Sequence, residues 1–219
     1  MSDAAPAATL HSYWRSSCSW RVRLALRLKG VPYSYEAVPL AHGAQHAAPF
    51  RALNPAAQVP VLRIDGVTLR QSVAILEYLE ETRPAPPLLP RVPAERAHVR
   101  AIVEAVNAGT QPLQNLAVLE YVKGRWGDEE RLAFARHWIE EGLRVVEALL
   151  KDSAGECCVG DDVSFADLLL VPQVYNAERV AVDMESFPTV VRVVRHLERI
   201  PAFVDAHADR QPDAPMSQT

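Results

Sequence analysis

The sequence has only three cysteines, Cys18, Cys157 and Cys158, in 219 residues. That count is odd and too small for a disulfide framework, and it suits a reducing compartment. No apolar run approaches the roughly 18 residues a membrane-spanning helix needs. The stretch Met1–Thr9 has neither the basic start nor the apolar centre of a secretory signal. A cytoplasmic protein with no membrane attachment is expected. No charge of one sign dominates either: 23 basic and 27 acidic residues leave a net charge of -4. Intermixed as they are, they create no field that would gather nucleic acid. The sequence also lacks internal repeats and low-complexity runs. What it has in quantity is apolar residues, 49%, enough at this length to fill one large core or two ordinary ones and to exclude disorder. The one basic concentration, Arg15, Arg21, Arg23, Arg27 and Lys29, alternates with apolar residues. Arg15 apart, it reads as the solvated face of a helix.

Between Arg83 and Pro93, five prolines fall in eleven positions, which neither helices nor strand ladders tolerate. This marks residues 84–93 as a linker between an α/β domain, 1–83, and an all-helical domain, 94–219. In the first, Thr9–Tyr13 suits a strand, and Ser16-Ser17-Cys18-Ser19 opens a helix whose Cys18, Val22, Ala25 and Leu26 share a face before Gly30. Tyr33–Val38 suits a second strand. Val61–Ile64 and Val67–Leu69 flank Asp65-Gly66, the two-residue chemistry of a tight hairpin. Ser72 is expected to cap a helix that turns Val73, Leu76 and Leu79 inward. The order strand, helix, strand, turn, strand, strand, helix is that of a thioredoxin-like domain. In the second domain, Ala94–Lys123, Asp128–Leu150, Phe165–Asn176 and Thr189–Ile200 read as helices. In Val163-Ser164-Phe165-Ala166-Asp167-Leu168, Ser164 and Asp167 can cap one another's amides while Val163 packs on Leu168.

The run Tyr13-Trp14-Arg15-Ser16-Ser17-Cys18-Ser19-Trp20-Arg21-Val22-Arg23 resembles the signature of the zeta-class glutathione transferases, the maleylacetoacetate isomerase family. Further matches follow in order: Asn54-Pro55 with Gln58-Val59-Pro60-Val61-Leu62, Gln71-Ser72, Gln111-Pro112-Leu113-Gln114-Asn115-Leu116, Val171-Pro172-Gln173 with Asn176-Ala177-Glu178-Arg179, and Arg210-Gln211-Pro212-Asp213. Departures are Ala56-Ala57 and the alanine-rich loop Ala41–Pro49. The resemblance implies the glutathione transferase fold, glutathione as cofactor, no metal, and a homodimer.

Glutathione must react as its thiolate, and its unperturbed pKa is about 8.5, like that of cysteine. Lowering it to about 6.5 takes about 2.7 kcal/mol of preferential stabilisation of the anion. A helix N-terminus contributes about 0.3 to 1 kcal/mol, or about 2 when partly buried, and a hydrogen bond to a charged group about 1.5 to 3. One hydroxyl and one helix end therefore suffice. Ser16 and Ser17 both stand where strand becomes helix, and either can serve, while plain N-capping is their bland role. The resemblance makes Ser16 the main donor, assisted by Ser17 and Cys18. Cys18 reads equally as a small buried residue and as a thiol able to form a mixed disulfide with glutathione. Cys157 and Cys158 read as packing.

Val59, held extended by Pro60, can present its N–H and C=O to a peptide as an added strand, and related folds imply a cis Val59–Pro60 bond. Gln71 and Ser72 begin a helix, whose amides and dipole can collect a carboxylate. Gln45 resembles the residue that holds the glycyl end of glutathione. Gln111 and Asn115, four apart on the helix predicted there, can point together into an interdomain cleft and touch glutathione or substrate.

The resemblance implies isomerisation of a small cis-dicarboxylic acid, maleylacetoacetate to fumarylacetoacetate, by thiolate addition, bond rotation through an enolate, and elimination. Arginine suits two carboxylates better than lysine, which singles out Arg15 within the signature and, by resemblance, Arg179. Rival readings are maleylpyruvate isomerisation, and a general transferase that conjugates small electrophiles or dehalogenates α-haloacids. A non-catalytic scaffold would be expected to lose the intact serine signature. Protein disulfide exchange lacks its second cysteine, since Trp20 and Arg21 follow Ser19.

Overall fold

The computed structural model describes residues 8–215. The chain divides into two compact units, one running to Pro86 and resuming at Pro201, the other Pro87–Ile200.

In the first unit, β1 (Thr9–Ser12), β2 (Ser34–Ala37), β3 (Val61–Ile64) and β4 (Val67–Arg70) form one sheet in the order β2-β1-β3-β4. β1 and β2 are parallel, so the chain must cross over between them, and α1 (Ser17–Leu28) does so. β3 runs antiparallel to β1, and β4 antiparallel to β3. The predicted Asp65-Gly66 hairpin forms, with both residues at positive φ, 52° and 77°, as a two-residue turn of the favoured hand requires. Where the sequence suggested only a turn between β2 and β3, the chain makes a short helix, α2 (Ala48–Leu53), with Pro49 in its first turn. α3 (Ser72–Thr82) buries Ile75, Leu76 and Leu79, while Val73 is half-buried. Val59, Val61, Val38 and Phe50 form an apolar cluster that seats α2. This is a thioredoxin-like unit.

The basic run is a solvated face only at Arg27, which is exposed. Arg21 and Arg23 are both 0% exposed, because α1 is buried on all sides from Ser19 to Leu26, Trp20, Val22 and Leu24 included. Lys29 is tied to Glu80 and to the Pro86 carbonyl. The boundary at residue 94–219 also needs correction at its far end. After Ile200 the chain returns to the first unit. There α9 (Pro201–Ala206) packs on α1, with Phe203 and Ala206 buried and the Trp20 and His207 rings 4.9 Å apart.

The second unit is helical: α4 (Pro93–Asn107), α5 (Leu116–Trp126), α6 (Asp128–Leu150), α7 (Phe165–Arg179) and α8 (Pro188–Leu197). The helix expected over Ala94–Lys123 is therefore two helices. A side chain at Gly109 would meet the Ala105 carbonyl oxygen at 2.7 Å, Pro112 can donate no helical hydrogen bond, and Asn115 caps α5 by accepting from the Ala117 amide at 3.0 Å. α7 runs through the middle and is buried from Phe165 to Val174. Its start is the predicted reciprocal cap: Asp167 accepts from the Ser164 amide at 2.7 Å, the Ser164 hydroxyl at 2.9 Å and the Cys158 amide at 2.8 Å. Cys157 and Cys158 are fully buried, and burial pushes the Cys157 thiol up to about 12, far from reactive. Among the described residues no helix is long and apolar enough to cross a membrane.

Candidate active site

Sheet topology gathers three segments at one end of the first unit. β1 leaves the sheet at Ser12, one residue after His11, which pairs with Val61 at the start of β3; Val61 also pairs with Arg70 at the end of β4. The turn after β1, the Val59–Pro60 bond before β3 and the Gln71–Ser72 step after β4 therefore lie together. α1 and α3 both begin there, so two sets of unpaired helical amides and two positive dipole ends face one region. Neither first turn carries an acidic residue of its own, and the Arg21 guanidinium joins the two helices by donating to the Ser72 hydroxyl at 3.1 Å.

Ser16 is the N-cap of α1, and its hydroxyl oxygen accepts from the Ser19 amide at 3.2 Å. Capping uses an oxygen lone pair and leaves the O–H proton available as a donor. Ser17, the first helical residue, is buried, and Cys18 is half-buried and free. Arg15 is half-buried, its guanidinium carbon 5.6 Å from the centroid of the Trp14 ring.

The Val59–Pro60 bond is cis, as expected. Val59 lies beyond Val61, the last paired residue of β3, so its N–H and C=O are outside the sheet ladder. Gln71 sits at φ 68°, ψ 119°, a left-handed conformation that costs a non-glycine residue about 1 to 3 kcal/mol and is held where structure over-determines it. Gln71, rather than Ser72, occupies the cap position of α3; Ser72 is buried and its hydroxyl is taken by Arg21, so the expectation of a Ser72 cap is corrected. Gln45 is buried in the turn Ala44–His46, its Nε2 3.2 Å from His46 Nε2. Its Oε1 is buried with no partner among the described residues. The neighbouring Ala44 packs on the Val59 cluster.

The remaining sequence candidates belong to the helical unit. Gln111 lies half-buried in the turns between α4 and α5, and Asn115 caps α5; with the helix broken between them, they do not share a helical face. Arg179 is exposed in the last turn of α7. Sequence reasoning missed the side chains that brace these segments. Gln114 and buried Gln173 exchange amide hydrogen bonds of 2.5 and 3.3 Å, which fixes the segment between α4 and α5 onto α7. Their only signal was that both fall inside matched motifs.

The family model of the glutathione S-transferase N-terminal domain matches residues 15–82, the span that holds Ser16, Val59 and Gln71. Over 208 residues the chain is 53% identical to probable maleylacetoacetate isomerase 2 of Drosophila melanogaster, covering 94% of this chain and 90% of that protein. It superimposes with a TM-score of 0.92, at 39% identity, on a bacterial maleyl pyruvate isomerase of the zeta class, covering 94% and 100% of the two chains. The chain belongs to the zeta class of glutathione transferases. Another solved structure similar to this zeta-class chain is the maleylacetoacetate isomerase of Anaeromyxobacter dehalogenans with glutathione bound in its active site. It is 47% identical, with a TM-score of 0.88, and covers 96% of this chain and 99% of that one. The zeta-class assignment thus extends over the helical unit as well as the thioredoxin-like one.

Proposed function

We propose that this protein is a glutathione-dependent isomerase that converts maleylacetoacetate to fumarylacetoacetate, in the cytoplasm, as a homodimer, within aromatic amino acid breakdown. The observation that carries the reading is the convergence of the Ser16 hydroxyl, the cis Val59–Pro60 bond and the Gln71–Ser72 helix start at one sheet end. Glutathione fits this set: the Gln45 Oε1, without a partner among the described residues, can accept from a peptide N–H, two helix starts free of acidic residues suit a thiolate and a carboxylate, and the Val59 backbone outside the sheet ladder can pair with a peptide. When bound, it supplies a thiolate able to add to an activated double bond and leave it again. Ser16 donates its proton to the sulfur while still capping α1, and Ser17 and Cys18 line the same helix start. Val59 and Pro60 pair with the peptide backbone, Gln71 and Ser72 gather the γ-glutamyl carboxylate, and Gln45 holds the glycyl end. Gln111 and Asn115 are further proposed contacts of glutathione. Arg15 and Arg179 receive the substrate carboxylates, and Arg15 stabilises negative charge as it develops.

The test is turnover of maleylacetoacetate and maleylpyruvate side by side, with and without glutathione. Isomerisation is expected to stop without glutathione and to leave free thiol unchanged after many turnovers. Stoichiometric loss of thiol would move the assignment to a conjugating transferase, a class that also covers dehalogenation of α-haloacids. Faster turnover of maleylpyruvate would favour the second reading, which is supported by the likeness to the maleyl pyruvate isomerase.

Arg15→Met tests the anionic substrate. A charge-assisted hydrogen bond of about 1.5 to 3 kcal/mol corresponds to a loss of about 10- to 150-fold in kcat/KM for the dicarboxylate. Conjugation of an uncharged electrophile is expected to change little. No ion pair among the described residues ties Arg15 into the scaffold, so equal losses on both substrates would remove its proposed role.

A further inference from the structure

The turn that carries Arg15 and Ser16 is held by residues far from it in sequence. Tyr13-Trp14-Arg15-Ser16 closes with the Ser16 amide donating to the Tyr13 carbonyl at 3.0 Å. None of those four residues is a glycine or a proline, the strongest local determinants of a turn. Its geometry comes from two anchors instead. The buried Arg23 guanidinium reaches back from α1 and donates to the Trp14 carbonyl at 3.0 Å, the Tyr13 carbonyl at 3.4 Å and the Ser12 hydroxyl at 3.3 Å, while its Nε donates to the Ala206 carbonyl of α9 at 3.2 Å. On the other side, the Trp14 amide donates to one carboxylate oxygen of Asp213 at 3.1 Å. The other oxygen of Asp213 accepts the Tyr35 hydroxyl of β2 at 2.6 Å. Both backbone polar groups of Trp14 are thus bound to charged side chains, which make the stronger and better-oriented hydrogen bonds. Burial draws the Arg23 guanidinium down to about 10, so it remains a cation at neutral pH.

We infer that Arg23 and Asp213 are positioning residues of the active site, holding the Tyr13–Ser16 turn so that the Ser16 hydroxyl and the Arg15 guanidinium face the reacting groups. The returning segment around Asp213 then serves the catalytic apparatus although none of its residues is a proposed contact of glutathione or substrate. The inference rests on the proposed role of the turn in activating the thiol. Its physical basis is the steep dependence of catalysis on placement, about 100-fold for a displacement of about 1 Å. A purely structural staple, fastening residues 201–215 to the sheet, would use the same bonds but would leave the properties of the bound thiol untouched.

The experiment compares Asp213→Leu, Asp213→Asn, Tyr35→Phe and Ser16→Ala in the full chain saturated with glutathione. It reads the ultraviolet thiolate absorbance against pH, the pH profile of isomerase kcat/KM, and the melting temperature. Asp213→Leu is expected to raise the bound-thiol midpoint by about 1 in pH and to lower kcat/KM about tenfold at neutral pH. Asp213→Asn, whose amide oxygen can still accept from Trp14, restores most of both. Tyr35→Phe loosens the carboxylate without removing it and moves the midpoint by less in the same direction, a readout that survives if Asp213→Leu does not fold. A lowered melting temperature with an unmoved midpoint in Asp213→Leu, or in Tyr35→Phe if the former does not fold, overturns the inference. Ser16→Ala reports separately on the donor. If its midpoint stays while that of Asp213→Leu moves, the positioning role stands and another group of the turn is the donor.

Discussion

Ser16→Ala is expected to lower isomerase kcat/KM about 100-fold at neutral pH and to raise the titration midpoint of bound glutathione by about 1 to 2 in pH. The figure follows from the hydrogen bond removed. A donor to a charged acceptor is worth about 1.5 to 3 kcal/mol, and a tenfold change in the acidity of the thiol corresponds to about 1.4 kcal/mol. The α1 dipole remains in the variant and keeps part of the stabilisation. The substitution also removes the cap on the Ser19 amide, a loss of about 0.5 to 2 kcal/mol. α1 is nonetheless buried from Ser19 to Leu26 and held by Arg21 and Arg23, so the variant folds and the two effects separate. Ser17→Ala and Cys18→Ala are expected to move the midpoint less, because neither residue occupies the cap where strand turns into helix. Thiolate absorbance titration of the three variants, each with its own measured melting temperature, decides the matter. An unmoved midpoint in a folded Ser16→Ala would transfer the role to Ser17 or to the backbone amides.

The largest effect on stability is expected at Asp167. Its carboxylate is 0% exposed and accepts from two amides and a hydroxyl. Truncation in Asp167→Ala strands the Ser164 and Cys158 amides, and each buried donor left without a partner costs about 1 to 3 kcal/mol. Burial raises the Asp167 pKa against the pull of those hydrogen bonds, so removing a desolvated carboxylate returns part of the loss. A net destabilisation of about 3 to 5 kcal/mol remains, equivalent to a fall in melting temperature of about 10 °C for a chain of this size. Asp167→Asn keeps one acceptor and is expected to lose about half as much. Thermal and urea unfolding of both variants measure this. A loss below about 1 kcal/mol in Asp167→Ala would show that the cap is dispensable and that packing alone holds α7.

The strand and hairpin signals of the first unit were legible because they are local. Asp65-Gly66 dictates its own turn, and the Ser164 and Asp167 cap needs only four residues. The serine signature was legible for the same reason, since a helix start is a matter of adjacent residues. The misread basic residues and the misplaced cap share a cause in contacts distant along the chain. Arg21 and Arg23 look like solvent-facing charges until the Ser72 hydroxyl and the Ala206 carbonyl are brought beside them. The break in the helix over Ala94–Lys123 had a local cue in Gly109 and Pro112, but apolar periodicity on both sides outweighed it. Ser72 looks like a cap because its neighbours are helical, yet a buried guanidinium claims its hydroxyl first.

The bond between the Trp14 amide and Asp213 spans 199 positions. A chain growing from its N-terminus exposes β1, α1 and the whole of the first sheet long before the residue that completes them exists. Contacts of such separation are slow to form and costly in loop entropy, so the Tyr13–Ser16 turn lacks its Asp213 anchor while the helical unit is being made. If Asp213 positions the turn as proposed, that turn is completed only once Asp213 has been synthesised and has folded back to Trp14.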